Sequence, residues 1–182
     1  GVQTCALPIW LQEGYVDVRN PFNSHQISRI YLNERNIDCI LFCTKNPIPM
    51  MSRLDEITFP YQFQITLTPY HQDIEEHVPS KKEIINAIKG LSLRLGKERV
   101  IVRYDPILLT PKYTVEYHQR AFDKLISQLE GYVNTVIISF VDMYKNTAEN
   151  QKRMQLQKMR EQDMLEIGRA LGTVTERYAV HI

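Results

Sequence analysis

Four apolar segments of this sequence end in residue types that do chemistry: Thr44-Lys45-Asn46-Pro47, Thr66-Leu67-Thr68-Pro69-Tyr70, Arg103-Tyr104-Asp105-Pro106 and Ser139-Phe140-Val141-Asp142-Met143-Tyr144. Each presents hydroxyls, an amide or a charge where the apolar run stops. Arg103 and Asp105 are two residues apart, so on a strand both side chains leave the same face. A guanidinium there binds a carboxylate or phosphate through paired N–H groups, and the neighbouring carboxylate is placed to act as acid or base. The competing reading is a mutual ion pair that only fills the interior; burying two charges is costly enough to favour a functional reason. Asp142 is a second acid–base candidate, with a turn or capping role as its alternative. Lys45, in a loop shaped by Asn46 and Pro47, is read as an anion binder against an ordinary exposed loop lysine. Thr44, Asn46, Thr68, Tyr70 and Ser139 add hydrogen-bonding groups to the same set. Arg19 and Asn20, ahead of Pro21, end an earlier stretch and join the binding candidates, although an arginine beside a turn is often a plain surface residue.

Other familiar chemistries find little support. The histidines, His25, His71, His77, His118 and His181, form no two-histidine motif. His118 falls on a helical pattern and is expected at the surface, and His71 lies just past a strand end. Ser139 lacks the Gly-x-Ser-x-Gly elbow of hydrolase nucleophiles. No Gly-x-Gly-x-x-Gly or Walker pattern follows any strand, which argues against a dinucleotide or P-loop fold.

Periodicity predicts the elements that position these residues. A helix remnant at 10–13 precedes two alternating stretches, 15–19 and 26–32, joined by turn-rich residues as in a hairpin. The continuous apolar run 37–44 reads as a strand buried on both faces, followed by a short helix over 50–57. Further strands are predicted at 63–68, 100–104 and 133–141. Ser80-Lys81-Lys82-Glu83 is a capping box opening a helix with Ile84, Ile88, Leu91 and Leu95 on one face, and Gly96 follows it. Thr114 starts another helix carrying Tyr117, Ala121, Leu125 and Leu129; residues 145–160 form a loop with some helix; Met164, Ile167, Leu171 and Val174 mark a last helix. Residues 179–182 open a last strand. Thr44, Thr68, Asp105 and Asp142 are 24, 37 and 37 residues apart, a spacing suited to βα units rather than hairpins. The expected fold is therefore α/β, an incomplete parallel β/α barrel of the TIM type, in which strand ends converge on one mouth.

Composition sets the outer limits. Of the 182 residues, 43% are hydrophobic and 24% charged, as in an ordinary globular domain. The 22 basic and 21 acidic residues leave a formal net charge of +1, so a nucleic-acid partner held by bulk charge is not expected. No apolar run approaches the roughly 20 residues of a membrane helix. Cys5, Cys39 and Cys43 follow no metal or disulfide spacing; the last two are read as core thiols, and a reducing cytoplasm is the expected compartment. The basic, Gln-rich stretch 151–160 is read as a solvated helix face. Residues 1–9 match no period and are expected to be non-native, adapter-like sequence, leaving 10–182 as one partial barrel domain truncated at both ends.

The strings Glu-Gly-Tyr-Val-x-Val-Arg-Asn-Pro-Phe-Asn at 13–23, Phe-x-Thr-Lys-Asn-Pro at 42–47, Phe-Gln-Ile-Thr-Leu-Thr-Pro-Tyr at 63–70, Arg-Tyr-Asp-Pro-Ile-Leu-Leu at 103–109 and Ser-Phe-Val-Asp-x-Tyr at 139–144 resemble, in the same order, the bacterial DUF1848 family. Its full-length members carry a C-terminal cysteine cluster similar to that of radical S-adenosylmethionine enzymes. The resemblance implies a radical-SAM-like barrel enzyme with a [4Fe–4S] cluster and S-adenosylmethionine in the full-length protein, none of it ligated by cysteines of this chain. On this reading the fragment itself is inactive, and its strand-end residues position substrate or cofactor. The alternatives are a cluster-free acid–base or anion-binding barrel enzyme using Asp105, Asp142, Arg103 and Lys45, and a non-catalytic ligand-binding barrel.

Overall fold

The computed structural model describes residues 7–143 and 148–182. Cys5, Tyr144 and residues 145–147 of the predicted loop lie outside the described residues. A short helix, α1 (Leu7–Glu13), stops at Gly14, whose φ of 77° suits the residue without a Cβ. Strands β1 (Tyr15–Arg19) and β2 (Ile27–Tyr31) then pair antiparallel, with Asp17 opposite Arg29 and a two-bond ion pair between them at 2.8 Å. This hairpin is a sheet of its own.

The rest of the chain alternates strand and helix: β3 (Ile40–Thr44), α2 (Ile48–Met51), β4 (Tyr61–Thr66), α3 (Lys81–Leu95), β5 (Val100–Ile107), α4 (Val115–Ser127), β6 (Val136–Phe140), α5 (Ala148–Arg153) and α6 (Glu161–Arg177). The predicted helix over 50–57 divides into α2 and a single 3₁₀ turn at Leu54–Glu56. Both long central helices begin as the sequence requires. Ser80 Oγ accepts from Glu83 N while Glu83 Oε2 accepts from Ser80 N, and Thr114 Oγ1 accepts from Tyr117 N.

All four strands of the main sheet run parallel in the order β3-β4-β5-β6, each beside its predecessor. One sheet face is apolar. Phe42, Phe63, Ile65, Val100, Val102, Tyr104 and Val136 are buried with Ile84, Ile88, Leu91, Phe122, Ile126, Ile167 and Leu171 in one core, so the helices cover this face. Burying a side chain of this size stabilises by roughly 1.5–3 kcal/mol, and this core holds the strands in register. Beyond β6, Thr135 bridges His181 in parallel, with Val136 N donating to His181 O and His181 N to Asn134 O, both at 2.8 Å. The predicted strand over 179–182 is thus a single bridge.

Two expectations are corrected here. Run 37–44 is not a strand buried on both faces: β3 begins at Ile40, and Leu41 is 56% exposed while Phe42 alone in the strand is buried. It lies at the sheet edge, with no described layer over its second face. For the same reason Cys39 and Cys43 are exposed, not core thiols. The strands form an open sheet, and no barrel closes among the described residues.

Candidate functional site

On the sheet face opposite the helices, the alternation of β4, β5 and β6 projects half-buried side chains: Gln62, Gln64 and Thr66; Ile101, Arg103 and Asp105; Ile137 and Ser139. Four of these link across three strands. Arg103 Nε donates to Asp105 Oδ1 and Oδ2 at 3.2 and 3.1 Å, and its Nη2 also bonds Oδ2. Arg103 Nη1 donates to Gln64 Oε1 at 2.9 Å, and Ser139 Oγ reaches Asp105 Oδ2 at 3.4 Å. Cys43 Sγ lies 3.7 Å from the same Gln64 oxygen and extends the belt to β3. Asp105, by hydrogen bonding, holds the Arg103 guanidinium protonated beyond its usual range, against the opposing effect of burial.

A local irregularity sets the height of the pair. The β5–β6 register passes from Tyr104↔Ile138 to Ile107↔Phe140, so β5 carries an extra residue at Asp105-Pro106, whose peptide bond is cis. Proline is tolerated at a bulge because no ladder bond is asked of it there. Tyr70 ties this segment down: its hydroxyl donates to Pro106 O at 2.7 Å and accepts from Leu108 N at 3.0 Å. Tyr70 is 2% exposed, and both of these bonds are to backbone groups.

A second charged cluster sits where β3 and β4 end. Glu75, its side chain 7% exposed, receives Lys45 and Thr68 Oγ1 (2.7 Å) on Oε1 and Lys81 Nζ (2.5 Å) on Oε2. Burial pushes the Glu75 carboxyl upward, but bonds from Lys45, Lys81 and Thr68 outweigh it and hold it below the usual carboxylate range. A depressed folded value stabilises above the unfolded carboxyl range and is lost as pH falls through it. Acidification from about pH 5 to 3 should therefore destabilise the wild type more than Glu75→Gln; equal pH slopes in urea unfolding would remove this role.

The remaining predicted residues lie outside the bonds of the belt described above. Thr44 Oγ1 accepts from Asn46 N at 3.0 Å and donates to Asn46 O at 3.1 Å, and Asn46 Oδ1 accepts from Ile48 N at 3.2 Å. Both shape the turn into α2. Arg19 is exposed at the end of β1, and Asn20 pairs with Gln26 inside the hairpin at 2.8 Å. The described contacts of Asn20 lie within that hairpin, apart from the belt. Asp142 is exposed two residues past β6.

His118 departs most from expectation: it is 0% exposed, not a surface residue. Its Nε2 meets Leu108 O at 2.9 Å, which only a donor can do, so Nδ1 accepts from the Tyr104 hydroxyl at 2.9 Å. Burial keeps the imidazole neutral by depressing its pKa. The sequence reading also missed Gln64, Glu75 and Lys81. Gln64 was visible as a polar residue alternating with the apolar residues of a strand; Glu75, 30 residues from Lys45, had no local signal.

Three cysteine ligands are needed for the cluster that the resemblance implies. Among the described residues, no group of three His, Cys, Asp or Glu side chains is arranged to hold a metal ion, and Cys39 and Cys43 both face solvent. These residues do not fit an iron–sulfur cluster. No helix of the described residues is long and apolar enough to cross a membrane.

These features define a parallel α/β protein with a charged, hydrogen-bonded belt on its uncovered sheet face. The chain belongs to the family described as Domain of unknown function (DUF1848), whose model matches residues 9–182. No curated protein and no solved structure matches it.

Proposed function

We propose that this chain is an arc of a β/α-barrel enzyme whose lumen face binds a small anionic substrate through Arg103. Sheet topology supports the barrel: parallel sheets are covered on both faces, and β3 to β6 add one after another with no reversal of order. In a closed barrel the uncovered face becomes the lumen, and Arg103, level with the last residue of β4, and Asp105 beyond it lie toward the mouth.

One observation carries the substrate reading. A guanidinium has five N–H donors. Asp105 takes those on the Nε edge and Gln64 takes one on Nη1, which leaves one donor on Nη1 and one on Nη2 without a partner among the described residues. Those donors suit an oxyanion, and the residues around them already fix the fork in place. Asp105 orients Arg103, and its Oδ2, which also receives Ser139, is the oxygen placed to take a proton from a bound substrate. Asp142 is a second proton-transfer group at the β6 end. The iron–sulfur and S-adenosylmethionine part of the reading rests on the family resemblance, with ligands other than Cys39 and Cys43; the belt then serves as its substrate-binding side.

Titrating the chain with butyrate while following arginine Nε–H resonances tests the site. The Arg103 signal should shift saturably, with neighbours on β4 and β6. Shifts confined to the helix surfaces would sink the reading.

A further inference from the structure

The Glu75 cluster stands where β3 and β4 end, and Arg103 pairs with Thr66, the last residue of β4; we infer from this placement that the substrate carries two oxyanions, one for Arg103 and one for Lys45 with Lys81. This rests on the Arg103 reading above and extends it to a substrate class.

Register fixes the arrangement. Thr44, the last residue of β3, pairs with Ile65, and Thr66 pairs with Arg103, so Lys45 leaves the end of β3 close to the level of Thr66 and Arg103. Lys45 is the first residue past β3, exposed, with its ammonium on Glu75. With strands about 4.8 Å apart, the Lys45 and Arg103 backbones stand about 10 Å from each other in one row across three strands. Thr68 continues the Gln64–Thr66 column above this row and is 1% exposed, and it holds Glu75 there.

Glu75 neutralises one of the two lysine charges and leaves the cluster one positive charge in excess. Each ammonium has three donors and gives one to Glu75, so further donors remain on both. Lys45 alone would be a flexible surface cation. Pinned to a buried carboxylate it is a placed one, and the loss of side-chain entropy that binding would otherwise cost is already met in the fold. A cleft of about 480 Å³ lined by Tyr70, His71, Glu75, Pro79, Ser80 and Lys81 opens on the Lys81 side of the cluster, room for an acid group there. Two cationic points at fixed separation select for length. A monoanion satisfies one point, and only a dianion of matching span satisfies both.

The test is calorimetric titration of the chain with butyrate, a graded series of dicarboxylates from malonate to suberate, and 4-phosphonobutyrate. One dicarboxylate should bind at least tenfold more tightly than butyrate, with an optimum in length. The Lys45→Gln, Lys81→Gln double variant should lose that preference and bind every dicarboxylate no more tightly than it binds butyrate. Preference for the phosphonate over glutarate would assign the second group as phosphate-like, and the reverse as carboxylate. Absence of any dicarboxylate preference, or its survival in the double variant, overturns the inference while leaving Arg103 as a monoanion site. Dicarboxylate binding that needs the lysines but is indifferent to Arg103→Gln would overturn both the two-point substrate and the Arg103 reading, leaving a lysine site alone.

Discussion

Replacing His118 with phenylalanine should destabilise the chain by about 2–4 kcal/mol, although the new side chain nearly fills the same space. The cost arises in the partners. Tyr104 is 2% exposed and loses its acceptor, while Leu108 O loses the donor that His118 Nε2 supplied. A buried hydroxyl or carbonyl without a partner costs about 1–3 kcal/mol, more than the bond itself contributes. The double variant His118→Phe, Tyr104→Phe removes the stranded hydroxyl and should recover about 1 kcal/mol relative to the sum of the single changes. Urea unfolding of the four proteins measures the cycle, and strict additivity would show that the two rings do not depend on each other.

The same residue sets a pH dependence in a separate window from Glu75. Burial lowers the folded pKa of His118, so the folded state resists binding the proton that the unfolded chain accepts near pH 6.5. Its contribution is intact above that value and is lost as pH falls through the folded value. Between about pH 7 and 5 the wild type should lose stability, and His118→Phe should lack this component of the slope. His118 joins α4 to Tyr104, the residue between Arg103 and Asp105, so loosening it also disturbs the belt.

Arg103→Lys should weaken binding of a carboxylate by about a hundredfold while leaving the fold largely intact, because two charge-assisted bonds are at stake at about 1.5 kcal/mol each. Charge is conserved, so the effect isolates geometry. A guanidinium can turn one edge to Asp105, touch Gln64 and still offer a fork outward; an ammonium beside Asp105 has no planar second edge. Calorimetry on the wild-type and Lys proteins, with thermal unfolding as the control for folding, gives the answer. An unchanged dissociation constant would mean that the outward donors of Arg103 hold no ligand.

Much of the scaffold is legible in the sequence. The Ser80 and Thr114 caps and the apolar helix stripes act within a few residues, and both helices begin where these signals place them. The shared face of Arg103 and Asp105 likewise follows from the two-residue period of a strand, and the structure joins them in an ion pair. The reading failed where a residue's surroundings come from elsewhere in the chain. His118 looked like a helix-surface residue because helix periodicity does not show that the Leu108 carbonyl and Tyr104 hydroxyl stand ready to satisfy it. Cys43 looked like core because an apolar run carries no mark of being at a sheet edge.

By itself, then, the sequence determined the alternation of strand and helix, the helix caps and the polar strand ends, since these depend on propensity, period and local hydrogen bonding. Tertiary structure alone decided which polar groups meet: Gln64 with Arg103 across β4 and β5, and Glu75 with Lys45 and Lys81 above β3. Those contacts depend on strand order, register and the path of the 68–80 loop. They are set by packing of the whole sheet against its helices, a sum over many distant side chains that no short stretch of sequence encodes.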